Sequence, residues 1–160
     1  MNIRTVSFGH TDAVKLNGRV QREYAERYGD EGDITPLDPT MFDPPVGIYL
    51  IAYDENGTAL ATGGWRRQEA NGHGYADGDA EIKRMYVTPE ARGLGLARRI
   101  LASLESDARA AGRTRMVLET GTEQPEAIAL YESSGYAPCD KFGYYRDSDL
   151  SRCYAKTLVP

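Results

Sequence analysis

Apolar residues change their spacing several times along this chain, and each change marks a predicted element. Asn2 to Phe8 alternates with a period of two and predicts a first strand. Over Thr11 to Tyr28 the interval lengthens. Val14, Leu16, Val20, Tyr24 and Tyr28 fall near helical spacing, with Gly18 a point at which the helix can divide. Gly29 and Gly32 end it, and Pro36, Pro39, Pro44 and Pro45 keep the next stretch irregular. Gly47 to Tyr53 and Thr58 to Trp65 then predict two strands, joined through Asp54-Glu55-Asn56-Gly57. The Asn-Gly pair is a strong hairpin signal, because both residues tolerate the positive φ that such turns need.

Beyond a polar, glycine-rich loop from Arg66 to Asp79, strands alternate with helices. Ala80 to Val87 predicts a strand and Leu94 to Ala111 a helix stopped by Gly112. That helix is expected to bury Leu96, Ile100, Leu101, Leu104 and Ala108 and to expose Arg98, Arg99 and Glu105. Arg115 to Glu119 predicts a further strand. Glu126 to Ser134 predicts a helix opened by Pro125 and closed by Gly135, and two last strands fit near Tyr136 to Cys139 and Arg152 to Leu158. The pattern is that of an α/β domain with a mixed sheet, and 160 residues suit one domain over 1–160.

Composition narrows the class. The chain is 41% hydrophobic and 27% charged, ordinary for a globular protein, with no apolar run near the roughly 20 residues that span a bilayer. The N-terminus lacks the apolar core of a signal peptide, so no membrane partner is expected. Two cysteines, Cys139 and Cys153, fit a reduced, cytoplasmic setting. His10 and His73 lie far apart, so no metal is expected. A net charge of −5 argues against nucleic acid, which needs a basic stripe. The negative charge is concentrated between Val20 and Val46, where seven acids face two bases. Such a flank is either a solvated loop or a means of attracting an amine, and it favours an amine over an acidic acceptor.

The stretch E-I-K-R-M-Y-V-T-P-E-A-R-G-L-G-L-A, Glu81 to Ala97, carries the chemistry. A strand leads through a glycine-rich bend directly into a helix. Arg92, Gly93 and Gly95 stand where the first helical N–H groups have no intrahelical partner, at the positive end of the helix dipole. Such a turn suits phosphate, and Arg92 adds a guanidinium matched to it, so a phosphorylated cofactor is expected. The spacing is neither the G-x-G-x-x-G of a dinucleotide fold nor a P-loop; it is R-x-x-G-x-A, with Arg92, Gly95 and Ala97. Downstream lies L-E-T-G-T-E-Q-P-E-A-I-A-L-Y-E-S-S-G-Y, Leu118 to Tyr136.

Together these two stretches closely resemble the GNAT superfamily of acyl-CoA-dependent N-acetyltransferases, most strongly over Ala80 to Tyr136. The resemblance implies a mixed, mostly antiparallel central sheet of about seven strands flanked by helices. It implies acetyl-CoA as co-substrate, its pyrophosphate on the N–H groups of Gly93, Leu94, Gly95, Leu96 and Ala97, with Arg92 and Arg98 nearby. The pantetheine arm would lie along Met85, Tyr86 and Val87 like another strand. Where the family often places an Asn ahead of the second helix, this chain has Gln124. Tyr131 matches the tyrosine that many members use as general acid for the departing thiolate. Glu119 and Glu81 are both candidates to accept the amine proton, and many members need no dedicated base. Tyr24, Tyr28, Phe42, Trp65, Tyr75, Tyr144 and Tyr145 are candidates to clamp the amine or to complete the core. The implied reaction is direct acetyl transfer to a primary amine of a small molecule or peptide; a catalytically silent CoA-binding sensory module is the alternative. A homodimer through exposed edge strands is compatible with this reading.

Overall fold

Alternate residues of the strand Gly47–Tyr53 (β2) point to opposite faces, and both faces are buried. Ile48, Leu50 and Ala52 join one apolar cluster; Tyr49, Ile51 and Tyr53 join another. This two-sided burial explains why β2 reads as a continuous apolar run. Helices therefore cover both faces of the sheet. In the computed structural model, which describes residues 1–29, 32–33, 35 and 37–158, seven strands form one sheet in the order β1-β2-β3-β4-β5-β7-β6. The others are β1 (Asn2–Thr5), β3 (Ala59–Gln68), β4 (Asp79–Val87), β5 (Arg115–Gly121), β6 (Ala137–Pro138) and β7 (Ser151–Thr157). All neighbours pair antiparallel except β4 and β5, which are parallel.

Helix α1 (Thr11–Tyr28) packs Ala13, Leu16 and Val20 against Phe42 and the aromatic face of β2. It is continuous through Gly18, because burial of one face outweighs the roughly 1 kcal/mol propensity cost of a helical glycine. His10 caps it, its Nδ1 accepting from the Asp12 N–H at 3.0 Å. Helix α2 (Leu96–Ala110) lies on the other face with Ile100, Leu101 and Leu104 fully buried, and α3 (Pro125–Ser133) beside it. The close approach of α2 to β3 needs Gly63, where a Cβ would overlap Met85 Sδ and stand 2.9 Å from Ile100.

Several expected boundaries move. The first strand stops at Thr5, after which Val6 still donates to the Tyr49 carbonyl and Ser7 begins a turn. β3 extends to Gln68 because Arg66, Arg67 and Gln68 pair with Glu81, Ala80 and Asp79, shortening the expected loop. Glu105, expected on the exposed face of α2, is buried. It accepts from the Tyr136 hydroxyl at 2.8 Å and from Lys156 Nζ at 3.0 Å. Trp65 and Phe42 are core residues, the Trp65 indole donating to Asp107 at 2.8 Å, and Tyr75 packs on Phe142. Tyr144 is exposed.

Because Glu105 ties α2 to β7 and to Tyr136 just beyond α3, Glu105→Ala is expected to cost about 1–3 kcal/mol, leaving the buried Tyr136 hydroxyl without its acceptor and Lys156 without its ion-pair partner. An exposed position would change by no more than about 0.5 kcal/mol. Urea denaturation of the two proteins decides between these outcomes.

Candidate active site

β4 and β5 pair only over Asp79↔Arg115, Ala80↔Met116 and Glu81↔Val117, and then diverge, β4 running on to Val87 and β5 to Gly121. Their separation coincides with a bulge in β4. Thr62 faces Tyr86 and Gly64 faces Lys83, so Arg84 and Met85 together oppose Gly63. Arg84 adopts φ 60°, the sole positive φ at a non-glycine among the described residues. The diverging strands open two cavities, of about 260 and 320 Å³, that share Tyr24, Met85, Gln124, Ala127 and Tyr131.

The larger cavity runs along Met85, Tyr86 and Val87 to the glycine turn and the start of α2. Gly93 and Gly95 both have positive φ, at 85° and 78°, with open space where a Cβ would stand. No side chain caps the helix at Gly95, so its leading N–H groups face the cavity unsatisfied from within. Exposed Leu94 stands on the turn and Leu96 packs inward. Arg92 lies at the rim, with Nε donating to the Val87 carbonyl at 3.1 Å and Nη2 3.2 Å from Glu23. Arg98 donates to Ser133 Oγ at 2.7 Å. An open helix N-terminus beside two surface arginines fits a phosphorylated group. Gln124 begins α3, its amide 3.4 Å from the Tyr28 hydroxyl.

Tyr131 stands where the cavities meet. It is 5% exposed, its ring edge-on to Tyr136, and its hydroxyl takes no hydrogen bond among the described residues. Burial, with a smaller contribution from Tyr24, pushes its pKa well above the ordinary value, so the phenol stays protonated. In the smaller cavity, Glu119 accepts from Ser151 Oγ at 3.0 Å. Burial pushes Glu119 up to about 7, against the opposing pull of Lys83 and Ser151. Glu81 is on neither cavity wall. It is 2% exposed and accepts from Arg66 Nε (2.8 Å), Gln68 (3.1 Å) and the Tyr75 hydroxyl (2.9 Å).

Of the aromatic candidates, Tyr24, Tyr28 and Tyr145 line the smaller cavity. Three acids of the acidic segment are engaged within the protein. Glu23 pairs with Arg27 and Arg92, Asp38 caps Thr40, and Asp33 binds Lys83 and Arg84 inside the cavity. Asp30 and Glu31 lie outside the described residues. The Asp33–Lys83–Arg84 cluster had no sequence signal, because adjacent strand residues ordinarily face opposite sides and only the bulge brings these two together. Among the described residues, no helix is long and apolar enough to cross a membrane, and no group of three or more His, Cys, Asp or Glu could hold a metal ion.

The acetyltransferase (GNAT) family matches residues 15–136, and the chain belongs to that family. It is 37% identical over 133 residues to an IAA acetyltransferase from Azospirillum brasilense, covering 79% of this chain and 82% of that protein. A Klebsiella pneumoniae structure assigned as an acyl-CoA N-acyltransferase superposes with TM-score 0.78 at 28% identity, over 99% of this chain and 97% of that one. An aminoglycoside 6'-N-acetyltransferase solved with coenzyme A shares the fold, with TM-score 0.70 at 17% identity over 100% and 98% of the two chains.

Glu119 generates a pH prediction. Its folded pKa of about 7 lies above the ordinary value of 4.5, so the folded state binds more protons than the unfolded chain between the two. Stability is therefore highest below the lower value and falls as pH rises through the upper one. Between about pH 5 and about pH 8, Glu119→Gln should lose less stability than the wild type in urea denaturation. Parallel losses would mean that Glu119 titrates normally.

Proposed function

We propose that this protein moves an acetyl group from acetyl-CoA directly to a primary amine of a small molecule or peptide. The observation that carries the reading is the parting of β4 from β5, which connects the open glycine turn to a second cavity with Tyr131 at the junction. Acetyl-CoA supplies an activated thioester. The N–H groups of residues 93–97, with Arg92 and Arg98, would hold its pyrophosphate, and the edge of β4 at Met85, Tyr86 and Val87 would align its arm, with Gln124 alongside. Arg92 can exchange its exposed contact with Glu23 for phosphate at little cost, since exposed ion pairs contribute about 0–1 kcal/mol.

Both reactants are held at the split, so attack becomes effectively unimolecular. The amine nitrogen bonds to the acetyl carbon, and the carbon–sulfur bond breaks. Tyr131, kept protonated by burial, donates its hydroxyl proton to the departing sulfur. Glu119 accepts the proton that the amine loses, directly or through water; a carboxylate with pKa about 7 is well matched to that task near neutrality. Glu81, neutralised by Arg66, is left to hold β3 and β4 together. Cys139 and Cys153 line neither cavity, which favours direct transfer over a covalent acyl-enzyme.

The test is release of free thiol from acetyl-CoA in the presence of an amine library. Turnover is expected, with Tyr131→Phe lowering kcat by about 100-fold while the acetyl-CoA Kd, measured by calorimetry, changes little. Acetyl-CoA binding without thiol release across the library would instead favour the silent sensory module.

A further inference from the structure

One side of the smaller cavity carries two cations, Lys83 and Arg84, where an attractor for amines would be anionic. Lys83 and Arg84 are consecutive, yet the bulge turns both toward Asp33 Oδ2, Lys83 Nζ at 3.1 Å and Arg84 Nη1 at 2.7 Å. Their side chains are 9% and 6% exposed. Burial opposes ionisation of Asp33, but the two cations outweigh it and hold the carboxyl well below its usual range. A single carboxylate thus answers two buried positive charges. The donors are also incompletely used. Arg84 Nε is buried without a hydrogen-bond partner, and Lys83 Nζ has three hydrogens but, among the described residues, only Asp33 as acceptor.

Among the described residues, one further carboxyl lines this cavity, that of Glu119, and it offsets the charge only in its ionised form. From β5 comes Glu119, and from β7 the Ser151 hydroxyl. From α1 come the phenols of Tyr24 and Tyr28, of which Tyr24 is pushed up to about 12 by burial and stays neutral. The charge of Glu81 is taken up by Arg66. A simple cationic amine approaching this side would meet two cations, whereas an anionic group would find unused hydrogens on Lys83 Nζ beside the Arg84 guanidinium. Guanidinium and ammonium side by side suit a planar carboxylate.

We infer that the acceptor, on the acetyltransferase reading above, is a small amine that also bears a carboxylate, such as an α-amino acid, with the carboxylate bound by Lys83 and Arg84. Its amine end then lies on the Glu119 side of the cavity, and about 260 Å³ accommodates a molecule of that size. This departs from the expectation drawn from the acidic segment, because Asp33, the acid of that segment that lines this cavity among the described residues, is itself bound by both cations.

The experiment compares L-α-amino acids with their carboxamides and their decarboxylated amines. Thiol release from acetyl-CoA is measured for each set, and each set is titrated calorimetrically into the CoA-loaded wild-type protein. The acids should exceed both counterparts by about 10- to 100-fold in kcat/KM, the range that a charge-assisted pair supports. In Lys83→Met that ratio should fall toward unity, chiefly through a raised KM for the acids. Carboxamides and decarboxylated amines turned over as well as the acids would overturn the inference while leaving the acetyltransferase reading intact. Acids that bind in preference to carboxamides, with no thiol released by any set, would support the carboxylate site and sink the transfer reaction. Equal binding without turnover would remove both. The wild-type titration decides even if Lys83→Met fails to fold.

Discussion

The short parallel contact between β4 and β5 is the constraint on which the rest depends. A parallel pair has evenly spaced, slanted bonds and needs a long crossover, here α2, to return the chain to the same side. With only residues 79–81 of β4 bonded to β5, the remaining backbone of β4 faces a gap instead of a neighbour. Sheets normally cover such an edge. Here the gap is the site, and acetyl-CoA on the proposed reading fills it with strand-like amides.

The bulge makes that gap usable. It inserts a residue opposite Gly63, which could not carry a side chain without displacing Met85 and Ile100. The same local event therefore seats α2 against the sheet and turns Lys83 and Arg84 into one cavity. Packing, backbone strain at Arg84 and the placing of two cations in the smaller cavity share one cause. A substitution at Gly63 would be felt at all three, through side chains that touch no common ligand.

Burial then tunes the polar groups. Tyr131, Tyr24 and Glu119 are all shifted in the direction that disfavours charge, with Tyr24 pushed up to about 12. Asp33, in the same cavity, is shifted the opposite way because two cations face it. Two carboxylates in one small space thus differ in protonation near neutrality. On the proposed reading, that separation of pKa values is what suits Glu119 to accept a proton while Asp33 stays ionised.

Much of the fold was legible in the sequence because it rests on local rules. The bounds of α1 and β2 were read correctly from hydrophobic spacing, and the glycine turn from the chemistry of a helix start. Glu105 was misread because its partners, Tyr136 and Lys156, come from distant segments that periodicity does not report, and the choice between clamp and core at Trp65 and Phe42 was left open for the same reason. Sequence alone determined the elements, the open glycine turn and the motif around Tyr131, since each is encoded within about one helix or strand. Only the tertiary structure decided which carboxylate faces the cavity, that Glu81 is spent on Arg66, and that Lys83 and Arg84 both reach the smaller cavity. Those outcomes depend on a strand bulge and on pairings across the sheet, where a one-residue change in register reverses the direction of every side chain.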